Sequence, residues 1–183
     1  MLLGMIMIPA VGAAQSQAWL AKGNISVKTY AVKGTSTPKA VVKAVIDASP
    51  AKVWKIVSDC SRYTKTMNRV KSSRLIKQSG STVICETEID MPFPLSNLKG
   101  RTKATHTVTP QRMSRKWSLI KGDYKFNNGS WVVEPFGEGG TKSLVTYTIH
   151  AEPTTSIPDW VRNKAQKTTL PKLIKRLRKE AAK

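Results

Sequence analysis

Acidic residues are scarce in this 183-residue chain, which carries 11 Asp and Glu against 31 Lys and Arg, a formal net charge of +20. An imbalance of that size bears on partners and solubility and leaves the fold open. It makes anionic membrane surfaces, nucleic acid and acidic polymers the candidate partners. Histidine is nearly missing, with His106 and His150 alone, and Cys60 and Cys85 are the only cysteines. No CxxC pair or Cys/His cluster suggests a metal, and no cofactor is expected. Long apolar runs are missing too. The first fourteen residues, MLLGMIMIPAVGAA, are uncharged but too short to cross a hydrocarbon core of about 30 Å, and no later stretch approaches eighteen apolar residues. The mature chain is therefore expected to be soluble.

Those fourteen residues match the apolar middle of a secretory signal, with small-residue cleavage sites at Val11-Gly12-Ala13 or Gly12-Ala13-Ala14. No Lys or Arg precedes the run, which departs from the usual signal. The expectation is a leader over residues 1–23, a periplasmic or secreted protein, and one domain over residues 24–183, of ordinary size for a single core. Oxidising conditions would allow Cys60 and Cys85 to pair, closing a loop worth about 3 kcal/mol. The buried strand position of Cys85 favours instead a small hydrophobe.

Two strands, Asn24 to Lys33 and Ala40 to Ile46, flank a Gly34–Pro38 turn. Ser49-Pro50 reads as a helix cap with proline at the first helical position, and Ser61 to Met67 suggests a second short helix. From Val70 the pattern has period two. Val83, Cys85, Thr87, Ile89 and Met91 share one face, with Glu86, Glu88 and Asp90 on the other. Further alternation runs through Leu98–Val108, Trp117–Leu119, Trp131–Val133 and Val145–Ile149, the signature of half-buried antiparallel strands. The chain ends in an amphipathic helix, about Pro158 to Ala181, whose apolar side holds Val161, Ala165, Leu170, Leu173, Ile174 and Leu177. Pro171 is expected to kink it.

The order is two strands, two short helices, five or so strands and one long helix, an α+β arrangement. One helix covering a wide sheet leaves space at the interface, and the small inward residues Gly100, Thr102 and Ala104 widen it. Native interiors are packed densely, so such space must hold side chains, water or a ligand.

Residues about 40 to 180 resemble the START/polyketide-cyclase superfamily, especially its bacterial coenzyme-Q-binding START-like branch. The resemblance rests on Ala48-Ser49-Pro50-Ala51-Lys52-Val53-Trp54, Asp59-Cys60-Ser61-Arg62-Tyr63, Met91-Pro92-Phe93-Pro94-Leu95-Ser96-Asn97, Gly129-Ser130-Trp131-Val132-Val133-Glu134-Pro135, Thr146-Tyr147 and Ile157-Pro158-Asp159-Trp160. It implies a helix-grip fold, a seven-stranded sheet gripping the C-terminal helix around a hydrophobic tunnel, and a ligand among sterols, phospholipids, quinones or polyketides.

Candidate ligand contacts follow from parity and placement. His106, inward beside Ala104 and Val108, would offer an imidazole to a head group, and Tyr147 a hydroxyl. Trp117, Trp131 and Trp160 would line walls, and Tyr63 and Met67 would roof the cavity. Pro92, Phe93, Pro94 and Leu95 form a stiff apolar segment that suits a gate, the alternative being a turn whose Phe93 packs into the core. On the outer helix face, Lys172, Lys175, Arg176 and Lys179 would dock on anionic membrane. The expected function is binding, with transfer as a further step, of a hydrophobic small molecule (lipid, sterol or quinone) by a monomer that performs no chemistry. A cyclase-type enzyme is the alternative, but the chain supplies few inward titratable groups for acid–base work. Nucleic-acid binding fits less well, because the aromatics fall at inward positions rather than among the basic ones.

Overall fold

The computed structural model describes residues 17–183. The apolar run of residues 1–14 and its cleavage sites lie outside them. Eight strands form one antiparallel sheet: β1 (Ile25–Tyr30), β2 (Lys39–Ile46), β3 (Val70–Ser79), β4 (Thr82–Ile89), β5 (Leu98–Val108), β6 (Met113–Gly122), β7 (Tyr124–Phe136) and β8 (Lys142–Pro153). Their spatial order is β1-β2-β8-β7-β6-β5-β4-β3. The N-terminal hairpin therefore joins the last strand, with Val42 opposite Tyr147 and Ala44 opposite Val145. Eight strands exceed the seven that the resemblance implies, and six rather than five follow the short helices. The strand missing from the alternating faces named above is β3, an edge strand that begins at Val70 and whose side chains are almost all exposed.

Helix α1 (Pro50–Ser58) begins as its sequence dictates: the Ser49 Oγ accepts from the Lys52 N–H at 3.4 Å, and Pro50 needs no hydrogen bond in the first turn. It buries Val53 and Val57. A 3₁₀ turn (Cys60–Arg62) follows, capped by Asp59, whose Oδ1 accepts from the Ser61 N–H at 3.0 Å, and leads into the short α2 (Tyr63–Thr66).

The C-terminal helix is continuous from Asp159 to Ala181, close to the expected Pro158 to Ala181, with a π turn in its middle. It comprises α3 (Asp159–Lys164), a π turn (Ala165–Thr169) and α4 (Leu170–Ala181). The Leu170 N–H reaches back five residues to the Ala165 carbonyl, so the wide turn accommodates Pro171 at the opening of α4. Pro171 thus lies within one continuous helix, just past the π turn.

Ile174 and Leu177 of α4, fully buried, meet Val42, Ala44 and Ile46 of β2 and Val53 and Val57 of α1 in the main core. Each large aliphatic side chain there contributes about 2 kcal/mol. Arg178 ties the same helix down. Its Nη2 donates to the Val45 carbonyl at 2.9 Å and its Nη1 to the Gly23 carbonyl at 2.9 Å.

Cys60 and Cys85 form a disulfide across 25 residues, with Cα atoms 6.4 Å apart. This corrects the reading of Cys85 as an unpaired small hydrophobe. Cys85 is buried, as its strand position implies, but the 3₁₀ turn lies against β3, where the Ser73 hydroxyl donates to the Cys60 carbonyl at 2.6 Å. That packing brings the two sulfurs together.

Candidate functional site

The sheet face that carries α1 and α4 does not close completely against them. A cavity of about 420 Å³ remains, within the range of small-molecule sites. Its walls come from β4 to β8, its roof from α2 and the residues after it, and its far side from the C-terminal helix. Cys85, Thr87 and Ile89 of β4 line it in alternation, as do Trp117 of β6, Trp131 of β7 and Tyr147, Ile149 and Ala151 of β8.

Five of the expected contacts are brought together. Tyr63, Met67, Trp117, Trp131 and Tyr147 all line the cavity. The Trp131 and Tyr147 rings lie 4.3 Å apart, and Trp117 stacks with Tyr147 at 6.0 Å. Trp117 is held by its Nε1, which donates to the Asn127 Oδ1 at 3.1 Å. The Tyr63 hydroxyl donates to the Val57 carbonyl at 2.5 Å, which anchors the roof to α1. Burial pushes the ionisation of Tyr63 and Tyr147 well above the ordinary phenol range, so both remain neutral donors.

Two expected contacts are not there. His106 shares the inward parity of Ala104 but does not line the cavity. Its ring packs edge-on against Trp54 at 5.2 Å, and its Nε2 accepts from Arg115 Nη1 at 2.8 Å. Burial, followed by the Arg115 charge, holds its ionisation down at about 4, so the ring is neutral at pH 7. Val108, placed inward by the same parity, is 60% exposed where the strand runs out past the core. Trp160 is 49% exposed, one helical step from the buried Val161, which takes the inward position in its place.

The space opposite Gly100 is also not open, since the Tyr124 ring sits 3.2 Å from where a Cβ would stand. The space opposite Gly129 is likewise filled, by the Trp117 indole.

In the Pro92–Leu95 segment, Pro92 lines the cavity, while Phe93 is 93% exposed. This excludes the core-packed alternative for Phe93. The segment is held at its base by Asn97, whose Oδ1 accepts from the Met91 N–H at 3.1 Å and whose Nδ2 donates to Glu88 at 2.8 Å.

On α4, Lys172, Lys175 and Lys179 are exposed, as expected. Arg176 is not a free cation. It donates to the Lys65 carbonyl and pairs with Glu180 at 3.3 Å, bridging α4 to α2.

Among the lining residues that the sequence reading omits, Arg115 is the buried cation. Arg115 is 3% exposed and stands in the wall of the cavity. A signal was present, because Arg115 alternates in phase with Met113 and Trp117, and a charged residue in an inward phase demands a reason.

Comparison with known proteins places this geometry. A curated but uncharacterised protein of Pseudomonas aeruginosa is 28% identical over 168 residues, covering 83% of this chain and 81% of the relative. The STAR-related lipid transfer protein of Xanthomonas axonopodis superposes with a TM-score of 0.75 at 23% identity, covering 87% of this chain and 94% of that one. Human StAR-related lipid transfer protein 5 superposes with a TM-score of 0.76 at 14% identity, covering 93% and 97%. A Streptomyces aromatase/cyclase shares the fold more distantly, with a TM-score of 0.52 at 9% identity over 86% of this chain and 92% of that one. The family model for polyketide cyclase / dehydrase and lipid transport matches residues 46–178, and the chain, an α+β START-like fold, belongs to that family.

Proposed function

We propose that this protein is a carrier that encloses a hydrophobic small molecule, a lipid, sterol or quinone, and does no chemistry on it. The observation that carries the reading is the 420 Å³ space that Trp117, Trp131 and Tyr147 line without filling. Dense packing is the rule in protein interiors, and a void of this size persists at a cost unless something occupies it. The lining supports binding over turnover. It contains no carboxylate and no histidine, and among the described residues no cluster of His, Cys, Asp or Glu is placed to hold a metal. Acid–base catalysis needs a group that exchanges protons near neutral pH, and the lining tyrosines Tyr63 and Tyr147 are moved away from that range.

Transfer at an anionic membrane completes the proposal. Exposed Lys172, Lys175 and Lys179 supply attraction, and exposed Phe93 and Trp160, each next to a lining residue, supply apolar contact beside the mouth. Export fits the disulfide and the uncharged N-terminal run, because disulfides persist in oxidising compartments. Organic extraction of the purified protein followed by mass spectrometry tests the central claim. A stoichiometric amphiphile, a quinone included, is expected in the extract, and it should exchange with added fluorescent lipid. A protein that neither carries nor takes up any apolar molecule is not a carrier.

A further inference from the structure

The buried Arg115 is a charge that the protein leaves without a countercharge. Several other arginines meet acids, although Arg178, less deeply buried, is held by carbonyls alone. Arg74 and Arg101 share Glu86 at 2.7 Å each, Arg69 pairs with Asp90, and Arg112 with Glu134. Among the described residues, no carboxylate lies within ion-pair distance of Arg115. Its partners are all dipoles. The neutral His106 accepts at 2.8 Å, the Ser58 carbonyl at the C-terminal end of α1 accepts at 3.4 Å, and the Cys85 sulfur lies 3.2 Å away. The Tyr63 ring presents its face at 6.0 Å. These contacts orient the guanidinium but leave its full positive charge in a water-poor wall, an arrangement that proteins normally avoid.

Its Nη1 is held by His106 and Ser58 outside the cavity, and its Nη2 lies against the lining Cys85. Arg115 lines the cavity together with Tyr63, Cys85 and Thr102, and the apolar volume extends from it toward Trp117 and Tyr147. A guanidinium fork matches a planar carboxylate or a phosphate better than any other common group. A fully neutral ligand would leave the cation as it is, whereas an acidic one would neutralise it.

We propose that Arg115 is the head-group site of this cavity and that the ligand is an acidic amphiphile, an apolar body bearing one oxyanion. The inference rests on the carrier reading and narrows its ligand class. The oxyanion is a carboxylate or a phosphate monoester, and the two are separated by the competitors below.

The test uses the naturally fluorescent cis-parinaric acid and its uncharged methyl ester, titrated into the wild-type protein and into Arg115→Met. Wild type is expected to bind the acid about tenfold or more tighter than the ester, since a hydrogen bond to a charged group in a dry site has that worth. The preference should survive 0.5 M salt, because a buried pair is screened little. In Arg115→Met the acid should weaken until the two probes bind alike, with the ester unchanged or tighter. Arg115→Lys, which keeps the charge without the fork, should retain part of the preference. Displacement of the bound acid by oleate more than by lysophosphatidic acid assigns the carboxylate, and the reverse order assigns the phosphate. Equal binding of acid and ester by wild type overturns the proposal, even if Arg115→Met fails to fold. So does an acid preference that persists in a folded Arg115→Met. Failure to bind either probe overturns the carrier reading itself, and equal binding leaves that reading standing.

Discussion

The Trp117 indole lies flat across the backbone of Gly129, so close that a Cβ on residue 129 would stand 2.2 Å from Cζ2. The two residues face each other in the β6–β7 register, and the same Cβ would stand 2.5 Å from the Thr148 carbonyl on the neighbouring strand. A Cβ would both strain the strand pairing at Thr148 and displace the indole from its bond to Asn127 and its stack on Tyr147. Gly129→Ala should therefore cost about 2 kcal/mol, as overpacking typically does. That corresponds to a fall in melting temperature of about 4–8 °C in a domain of this size. Near-UV circular dichroism should lose intensity in the tryptophan region, and a variant that melts and absorbs like wild type would refute the constraint.

The disulfide should matter to both stability and ligand retention. Closing a loop of 25 residues removes unfolded-state entropy worth about 3 kcal/mol. Cys60 precedes the roof residues Tyr63 and Met67, while Cys85 sits in the wall, so the bond also holds roof to wall. Reductant, or the Cys60→Ala/Cys85→Ala pair, should lower the melting temperature by about 6–12 °C. The off-rate of a bound fluorescent lipid should rise in parallel. An unchanged melting temperature would mean that the roof is held by packing alone.

The legible part of this fold is the part that local periodicity controls. Trp117, Trp131 and Tyr147 are legible as inward because a strand alternates strictly, whatever lies beyond it. Parity, however, says which face a residue is on and not where the cavity ends. His106 has the right parity but lies where Trp54 and Arg115 already fill the face. Trp160 is an aromatic whose wall role conflicts with the helical spacing that already puts Val161 inward, since one residue is a 100° turn, and Val161 holds the inward place. The disulfide was hidden because Cys60 and Cys85 meet only once the 3₁₀ turn docks on the sheet. Arg115 was visible as a violation of the pattern, and violations are where function concentrates.

His106 should impose a pH dependence on stability. Its ionisation lies at about 4 in the folded protein against 6.5 in an unfolded chain, the largest cause being burial and the second the Arg115 charge. The unfolded state therefore binds a proton that the native state refuses, and stability falls as pH drops from about 6.5 toward 4. With the ring only partly buried, the loss is about 1–2 kcal/mol after allowance for solvent screening. Glu86, Glu88, Glu152 and Glu180 are shifted the other way by their Arg, Asn and Lys partners, and their contribution is lost only below about pH 4.5. The window from pH 6.5 to 5 thus belongs to the histidine. Urea unfolding of wild type should weaken across that window, and His106→Gln, which can still accept from Arg115, should be flat. A parallel slope in both proteins would place the titration elsewhere.

Membrane docking should separate cleanly from ligand binding. Lys172, Lys175 and Lys179 face solvent on α4, and each is worth about 1 kcal/mol near an anionic surface. Reversing all three to Glu should reduce co-sedimentation with anionic vesicles by about a hundredfold or more, since the three attractions together amount to about 3 kcal/mol. Affinity for a soluble fluorescent ligand should not change. Arg176→Glu is the wrong probe of docking, because it breaks the contacts of Arg176 with the Lys65 carbonyl and Glu180, and should lower the melting temperature instead. Salt provides the independent axis. The Debye length falls from about 10 Å at 0.1 M to about 3 Å at 1 M, so vesicle binding should collapse over that range. Phe93 has a different expected part, since its exposed ring stands beside a lining proline. Phe93→Ala should slow lipid transfer between vesicles more than it weakens their binding, because an apolar ring contributes to opening the mouth and not to long-range attraction. Transfer that ignores vesicle charge, salt and the three lysines alike would remove the membrane from the mechanism and leave the +20 charge to solubility or to another acidic partner.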